Sequence, residues 1–169
     1  MDLKEAIVIA IEFEKGVVDV YDQYADKFES EVGQKIFKAL GKEEVDHAAY
    51  LEAKQAQWQA EGKVTLDEMD TIVPGADLLT KHVGKLAKSF SGEVKESEID
   101  AFKKALQMEQ EATEFYKDLV GKLPKEDRGL FERFLEIEEG HEAIIKAELD
   151  NVKGLGYWFD FMEFDLESA

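Results

Sequence analysis

Apolar residues recur at helical spacing through most of the chain. In residues 3–29 the stripe is Ile7, Ile11, Val18, Tyr21, Ala25 and Phe28. In residues 30–61 it is Ile36, Phe37, Leu40, Leu51 and Trp58, with Ser30 placed to cap the helix start. So short a connection between two helices makes them antiparallel neighbours. Ser97 with Asp100 resembles a capping box, opening a third helix that ends near Gly121. Pro124 suits the first turn of a fourth helix, which runs to about Val152 and stops at Gly154.

The segment 62–97 breaks the rhythm. It carries Thr65, Val73-Pro74-Gly75 and Ser91-Gly92 around a short amphipathic run (Leu78, Leu79, His82, Val83, Leu86, Phe90). It reads as a long crossover with one short helix, enough to return along the bundle and start the third helix parallel to the second. The expected fold is all-α: a four-helix bundle over residues 1–154, made of two antiparallel pairs. Residues 155–169 form a tail rich in aromatics (Tyr157, Trp158, Phe159, Phe161, Phe164), too apolar to hang free. It should pack on the bundle or on a partner subunit.

The two pairs align with each other. Phe13-Glu14 sits over Met108-Glu109, Val20-Tyr21 over Phe115-Tyr116, Phe37 over Phe131, Leu40 over Phe134 and His47 over His141. This looks like a duplicated helical hairpin with a pseudo-twofold axis through the bundle centre.

Four glutamates interrupt the apolar stripes. Glu14 lies three after Ile11 and four before Val18, and Glu109 lies between Phe102, Leu106 and Tyr116. Glu44 follows Phe37 and Leu40 and precedes Leu51, while Glu138 follows Phe131 and Phe134 and precedes Ile145. Residues three, four and seven apart share a helix face, so all four carboxylates point inward. Glu44 and Glu138 each begin a Glu-x-x-His step, to His47 and His141. Burying four carboxylates without cations is costly, and no Lys or Arg lies on these faces. Two divalent cations would balance the four charges, with the two imidazoles completing the shell. Oxygen and nitrogen ligands without sulfur suit iron or manganese and tolerate zinc.

Other polar residues read differently. Tyr21 and Tyr116 either hydrogen-bond a ligand carboxylate across the bundle or are ordinary core tyrosines. Glu43, Glu111, Glu114 and Glu139 read as solvated-face residues, and His82 as structural or surface. Gly140, inside the fourth helix, costs about 1 kcal/mol relative to Ala, and the sequence offers no reason for it.

Composition narrows the chemistry. The 169 residues are 44% hydrophobic and 36% charged, with a net charge of -18 that argues against nucleic acid as a partner. With no cysteine, disulfides, zinc–thiolate sites and iron–sulfur clusters are excluded. No signal peptide or membrane span is visible, which makes a cytoplasmic protein the expectation.

Glu14, Glu44-x-x-His47, Glu109 and Glu138-x-x-His141, with a long crossover between the pairs, resemble the ferritin-like superfamily. The wording Ile11-Glu12-Phe13-Glu14-Lys15-Gly16, Met108-Glu109-Gln110-Glu111 and Phe115-Tyr116 is similar to its rubrerythrin branch over residues 3–152. The resemblance implies a di-iron centre with Glu44 and Glu138 bridging, Glu14 and Glu109 terminal, and one histidine on each metal. It implies reduction of hydrogen peroxide in oxidative-stress defence, by a homodimer or larger oligomer. Two departures stand out. Typical rubrerythrins carry a four-cysteine rubredoxin-type domain; without it, electrons must come from a separate donor protein. They also carry a second glutamate one turn before the third-helix ligand, where this chain has Leu106. The competing functions are a ferroxidase that handles iron with oxygen, and a metal-free helical bundle.

Overall fold

The computed structural model describes residues 1–25, 27–29, 31–73 and 95–153, with the side chains of Glu31, Val32 and Asn151 outside the description. The expected Ser30 cap, His82, the short crossover helix, Gly154 and the aromatic tail lie outside the described residues. Four α-helices are present among them: α1 (Leu3–Ala25), α2 (Glu31–Glu61), α3 (Glu96–Lys122) and α4 (Gly129–Val152). The described residues contain no strand.

Contacts along the helices give their directions. Lys15 pairs with Glu52 at 2.8 Å, while Tyr21, further along α1, packs on Phe37 and Gly41, nearer the start of α2. The two helices are therefore antiparallel. Tyr116 stacks on Phe131 and Phe134 while Gln110 reaches Glu142, so α3 and α4 are antiparallel too. Between the pairs, the Phe13 and Phe115 rings stack at 4.2 Å and Tyr21 reaches Glu109. That sets α3 antiparallel to α1 and parallel to α2, the direction a long crossover permits.

Burial divides the interior into two apolar clusters. One gathers Ile7, Ile11, Leu51, Leu119, Phe131 and Phe134 with their neighbours. The other gathers Val17, Phe28, Phe37, Phe102, Ile144 and Leu149 with theirs. The four glutamates and two histidines that interrupt the apolar stripes belong to neither cluster, and all six are at most 1% exposed.

Helix ends differ from the sequence reading in three places. α1 stops at Ala25 rather than near Glu29; Lys27 closes a turn onto the Tyr24 carbonyl, and Phe28 leaves the helix to bury its ring. The capping box at Ser97 and Asp100 does not form. α3 begins one residue earlier, at Glu96, and its N-cap Lys95 makes no side-chain cap. Asp100 is occupied by Lys103 at 2.7 Å. Pro124 does not open the fourth helix. It precedes a 3-10 turn over Lys125–Asp127, and α4 starts only at Gly129, after Arg128 Nε has donated to the Leu123 carbonyl at 2.8 Å.

The beginning of the crossover is an ordered strap. Gly62 takes φ of 67°, the left-handed conformation that ends a helix without a Cβ penalty. Lys54, buried beneath, pairs with Asp67, and Gln57 holds Thr65. Val64 and Met69 then pack on the first cluster, and Ile72 and Val73 on the second.

The strap explains Gly140. A Cβ at that position would lie 2.1 Å from Val73 Cγ1 and 3.0 Å from Val73 Cβ. Both atoms belong to a stiff, branched side chain, so α4 needs a glycine there for the strap to lie down.

Candidate metal centre

Each helix contributes to the centre from the middle of its apolar stripe, which is why the fold buries these charges at all. Glu14 comes from α1, Glu44 and His47 from α2, Glu109 from α3, and Glu138 and His141 from α4. The i, i+3 step puts Glu44 and His47 on one face of α2, and Glu138 and His141 on one face of α4.

The structure brings all six together. His47 Nδ1 lies 3.1 Å from Glu44, 3.4 Å from Glu138 and 3.8 Å from Glu14. His141 Nδ1 lies 2.9 Å from Glu44, 3.5 Å from Glu138 and 3.7 Å from Glu109. Two overlapping quartets of donor atoms result. Glu14, Glu44, His47 and Glu138 form one, and Glu44, Glu109, Glu138 and His141 the other. Glu44 and Glu138 belong to both, and the two imidazoles stack with centroids 5.6 Å apart.

The tyrosines hydrogen-bond carboxylates across the bundle. Tyr21 donates to Glu109 Oε1, and Tyr116 donates to Glu14 Oε1, each from one hairpin to the other. That leaves Glu14 Oε2 and Glu109 Oε2 buried without a hydrogen-bond partner and facing the histidines. Burial keeps both phenols well above their ordinary pKa, reinforced by the neighbouring carboxylates, so they remain donors.

The electrostatics are those of a crowded acidic site. Burial raises Glu14 to about 8, with Glu138 and Glu44 adding to the rise and His47 opposing it. Burial also lifts Glu109 well above the carboxylate range, against the pull of His141. Glu44 goes the other way: desolvation is outweighed by His141 and His47, which hold it well below that range. Desolvation lowers both histidines, but the surrounding carboxylates, Glu44 foremost, carry them well above 6.5. Without cations the cluster therefore compensates itself with protons. The fit to a metal pair rests on what the protons leave undone. Glu44 Oε1, both oxygens of Glu138 and His141 Nδ1 are buried donor atoms without hydrogen-bond partners, and such groups are costly unless a ligand engages them.

A model of the rubrerythrin family matches residues 5–149. The chain belongs to the rubrerythrin family. That is a ferritin-like di-iron family, and the buried glutamates and histidines are groups that could bind its metals. A solved hypothetical protein from Pyrococcus furiosus is similar over 92% of this chain and 93% of its own, with a TM-score of 0.62 and 23% sequence identity. This second likeness bears on the fold alone. No curated protein sequence matches the chain. No helix among the described residues is long and apolar enough to cross a membrane.

Glu111, Glu114 and Glu139 are exposed, as expected for solvated faces. Glu43 is not: it is 5% exposed and sits beside both histidines. The sequence reading was wrong there because the strap covers a face that a bare bundle would leave wet; the Ile72 amide donates to Glu43 at 3.1 Å. A signal existed. Glu43 is one helical turn before His47, and the matching position before His141 is Ile137, an apolar residue that marks the register as interior. Leu106, in place of the extra family glutamate, is half-buried and packs against the second apolar cluster.

Proposed function

We propose that this protein is a di-iron oxidoreductase that reduces hydrogen peroxide to water, drawing electrons from a separate donor protein. The observation that carries this reading is the convergence of six buried donor side chains into two quartets sharing Glu44 and Glu138. Glu14 and His47 would complete one metal position, and Glu109 and His141 the other. Manganese or zinc could substitute, since the donors are oxygen and nitrogen only.

Iron bound there supplies electrons in pairs, matching a reaction that converts one peroxide, two electrons and two protons into two waters. The residues do the rest. Tyr21 and Tyr116 hold one oxygen of Glu109 and Glu14, which orients the other oxygen inward. The apolar clusters on both sides keep bulk water from the carboxylates, strengthening every interaction between them.

The decisive experiment is to load the protein with iron, reduce it without oxygen, and follow its reoxidation. Peroxide should reoxidise it much faster than oxygen does. The reverse order would favour a ferroxidase that handles iron, and a protein that takes up no metal would be a structural bundle.

A further inference from the structure

An imidazole that binds metal through one nitrogen must do something with the other, and here both histidines turn that other nitrogen toward one residue. His141 Nε2 lies 3.4 Å from Glu43 Oε2, and His47 Nε2 lies 3.8 Å from Glu43 Oε1. Both Nε2 atoms and Glu43 Oε1 are buried with no hydrogen-bond partner. The three side chains also gather as a third group of donors, in which Glu43 is the member that belongs to neither quartet.

From this geometry we infer that Glu43 is a positioning residue, a single carboxylate that fixes the tautomer and tilt of both metal-binding imidazoles at once. The inference rests on the metal centre proposed above. With Nδ1 of each ring engaged by a metal, the remaining ring proton would sit on Nε2, aimed at Glu43. Each oxygen serves a different ring. Oε2 also accepts the Ile72 amide at 3.1 Å, so the strap holds the carboxylate in this orientation.

The arrangement breaks the twofold symmetry of the site. The second hairpin has Ile137 where the first has Glu43, and Ile137 is buried and cannot accept a hydrogen bond. One acidic side chain therefore does for two histidines what a symmetrical duplication would assign to two.

That economy makes a directional prediction. Glu43→Gln keeps the shape but replaces one oxygen with an NH2 group. The Ile72 amide needs an acceptor, so the remaining oxygen stays on the Ile72 and His141 side. The NH2 group then faces His47 Nε2–H, donor against donor. In the full-length protein, stripped of metal and titrated with zinc, Glu43→Gln should weaken the Glu14/His47 position by roughly 10–100-fold. The Glu109/His141 position should stay as in the wild type.

Nitrogen-15 NMR of the zinc-loaded protein assigns the loss: the His141 Nε2–H signal persists and the His47 signal moves or vanishes. Glu43→Ala should weaken both positions. Wild-type affinity at both positions in Glu43→Gln, with unchanged imidazole signals, overturns the inference while leaving the metal centre intact. A wild-type protein that binds no zinc, iron or manganese overturns the metal centre itself, and this inference with it.

Discussion

The two hairpins are nearly interchangeable inside the bundle and quite unlike at its flank. Toward the centre, each contributes one glutamate, one Glu-x-x-His step and one tyrosine that crosses to the other hairpin's carboxylate. Toward the strap, the first hairpin offers Glu43 as an acceptor for the Ile72 amide, and the second offers the Gly140 notch that receives Val73. Two neighbouring strap residues thus dock on two dissimilar features, one polar and one steric. The cluster of six donor side chains is symmetrical; what closes over it need not be.

The largest expected effects test the symmetrical part. Glu44→Ala removes a side chain common to both quartets and should abolish occupancy of at least one proposed metal position, read by elemental analysis after loading. Glu138→Ala should do the same. Full occupancy in either variant would show that the two halves do not share their central carboxylates.

Next comes the steric side of the strap. Gly140→Ala should destabilise the protein by about 1–3 kcal/mol through overpacking, despite a gain in helix propensity of about 1 kcal/mol. Gly16→Ala, where a new Cβ meets nothing within 4 Å, should show only that gain. Adding Val73→Ala to Gly140→Ala removes the two Cγ clashes but leaves the Cβ approach at 3.0 Å, and should restore part of the loss. Thermal melts of the three variants measure this, and equal behaviour of Gly140→Ala and Gly16→Ala would remove the notch from the comparison.

The proton balance gives an effect of similar size. Glu14 is raised from 4.5 to about 8, and both histidines are raised above 6.5. The folded metal-free protein thus retains protons that the unfolded chain has released. The stability these groups contribute is complete below their unfolded pKa values and is lost as pH rises through the folded ones. Metal-free protein should therefore melt lower at pH 8 than at pH 6, with a slope of up to about 1.4 kcal/mol per pH unit per group. Metal loading displaces those protons and should flatten or reverse the trend. A metal-free melting temperature that climbs across this range would contradict the assignment.

Comparable in size, and most direct on the symmetry, are Tyr21→Phe and Tyr116→Phe. Each removes one buried hydrogen bond and should cost about 1–3 kcal/mol in metal-free protein by chemical denaturation. The two losses should agree to within about 0.5 kcal/mol. A clear inequality would mean that the crossing bonds are not equivalent.

Much of this was readable in the chain beforehand, and the reasons are local. Apolar spacing along Ile7, Ile11 and Val18 reports a helix face directly, and Glu14 among them can only point inward. The same reasoning reached all four central glutamates and both histidines. Glu43 and Gly140 escaped because their surroundings come from Ile72 and Val73, which are distant in sequence and carry no periodic signal. Helix starts escaped for a different reason. Asp100 can serve a capping box or a lysine one turn on, and only the backbone start at Glu96 decides which.

The crossed phenols carry a last consequence for how the molecule is put together. Each donor and its acceptor sit on opposite sides of the crossover, so a cut in that segment would separate both pairs together. Neither fragment could then satisfy its own inward glutamate; each would finish folding only on meeting the other, as a lock whose two halves each hold the other's key.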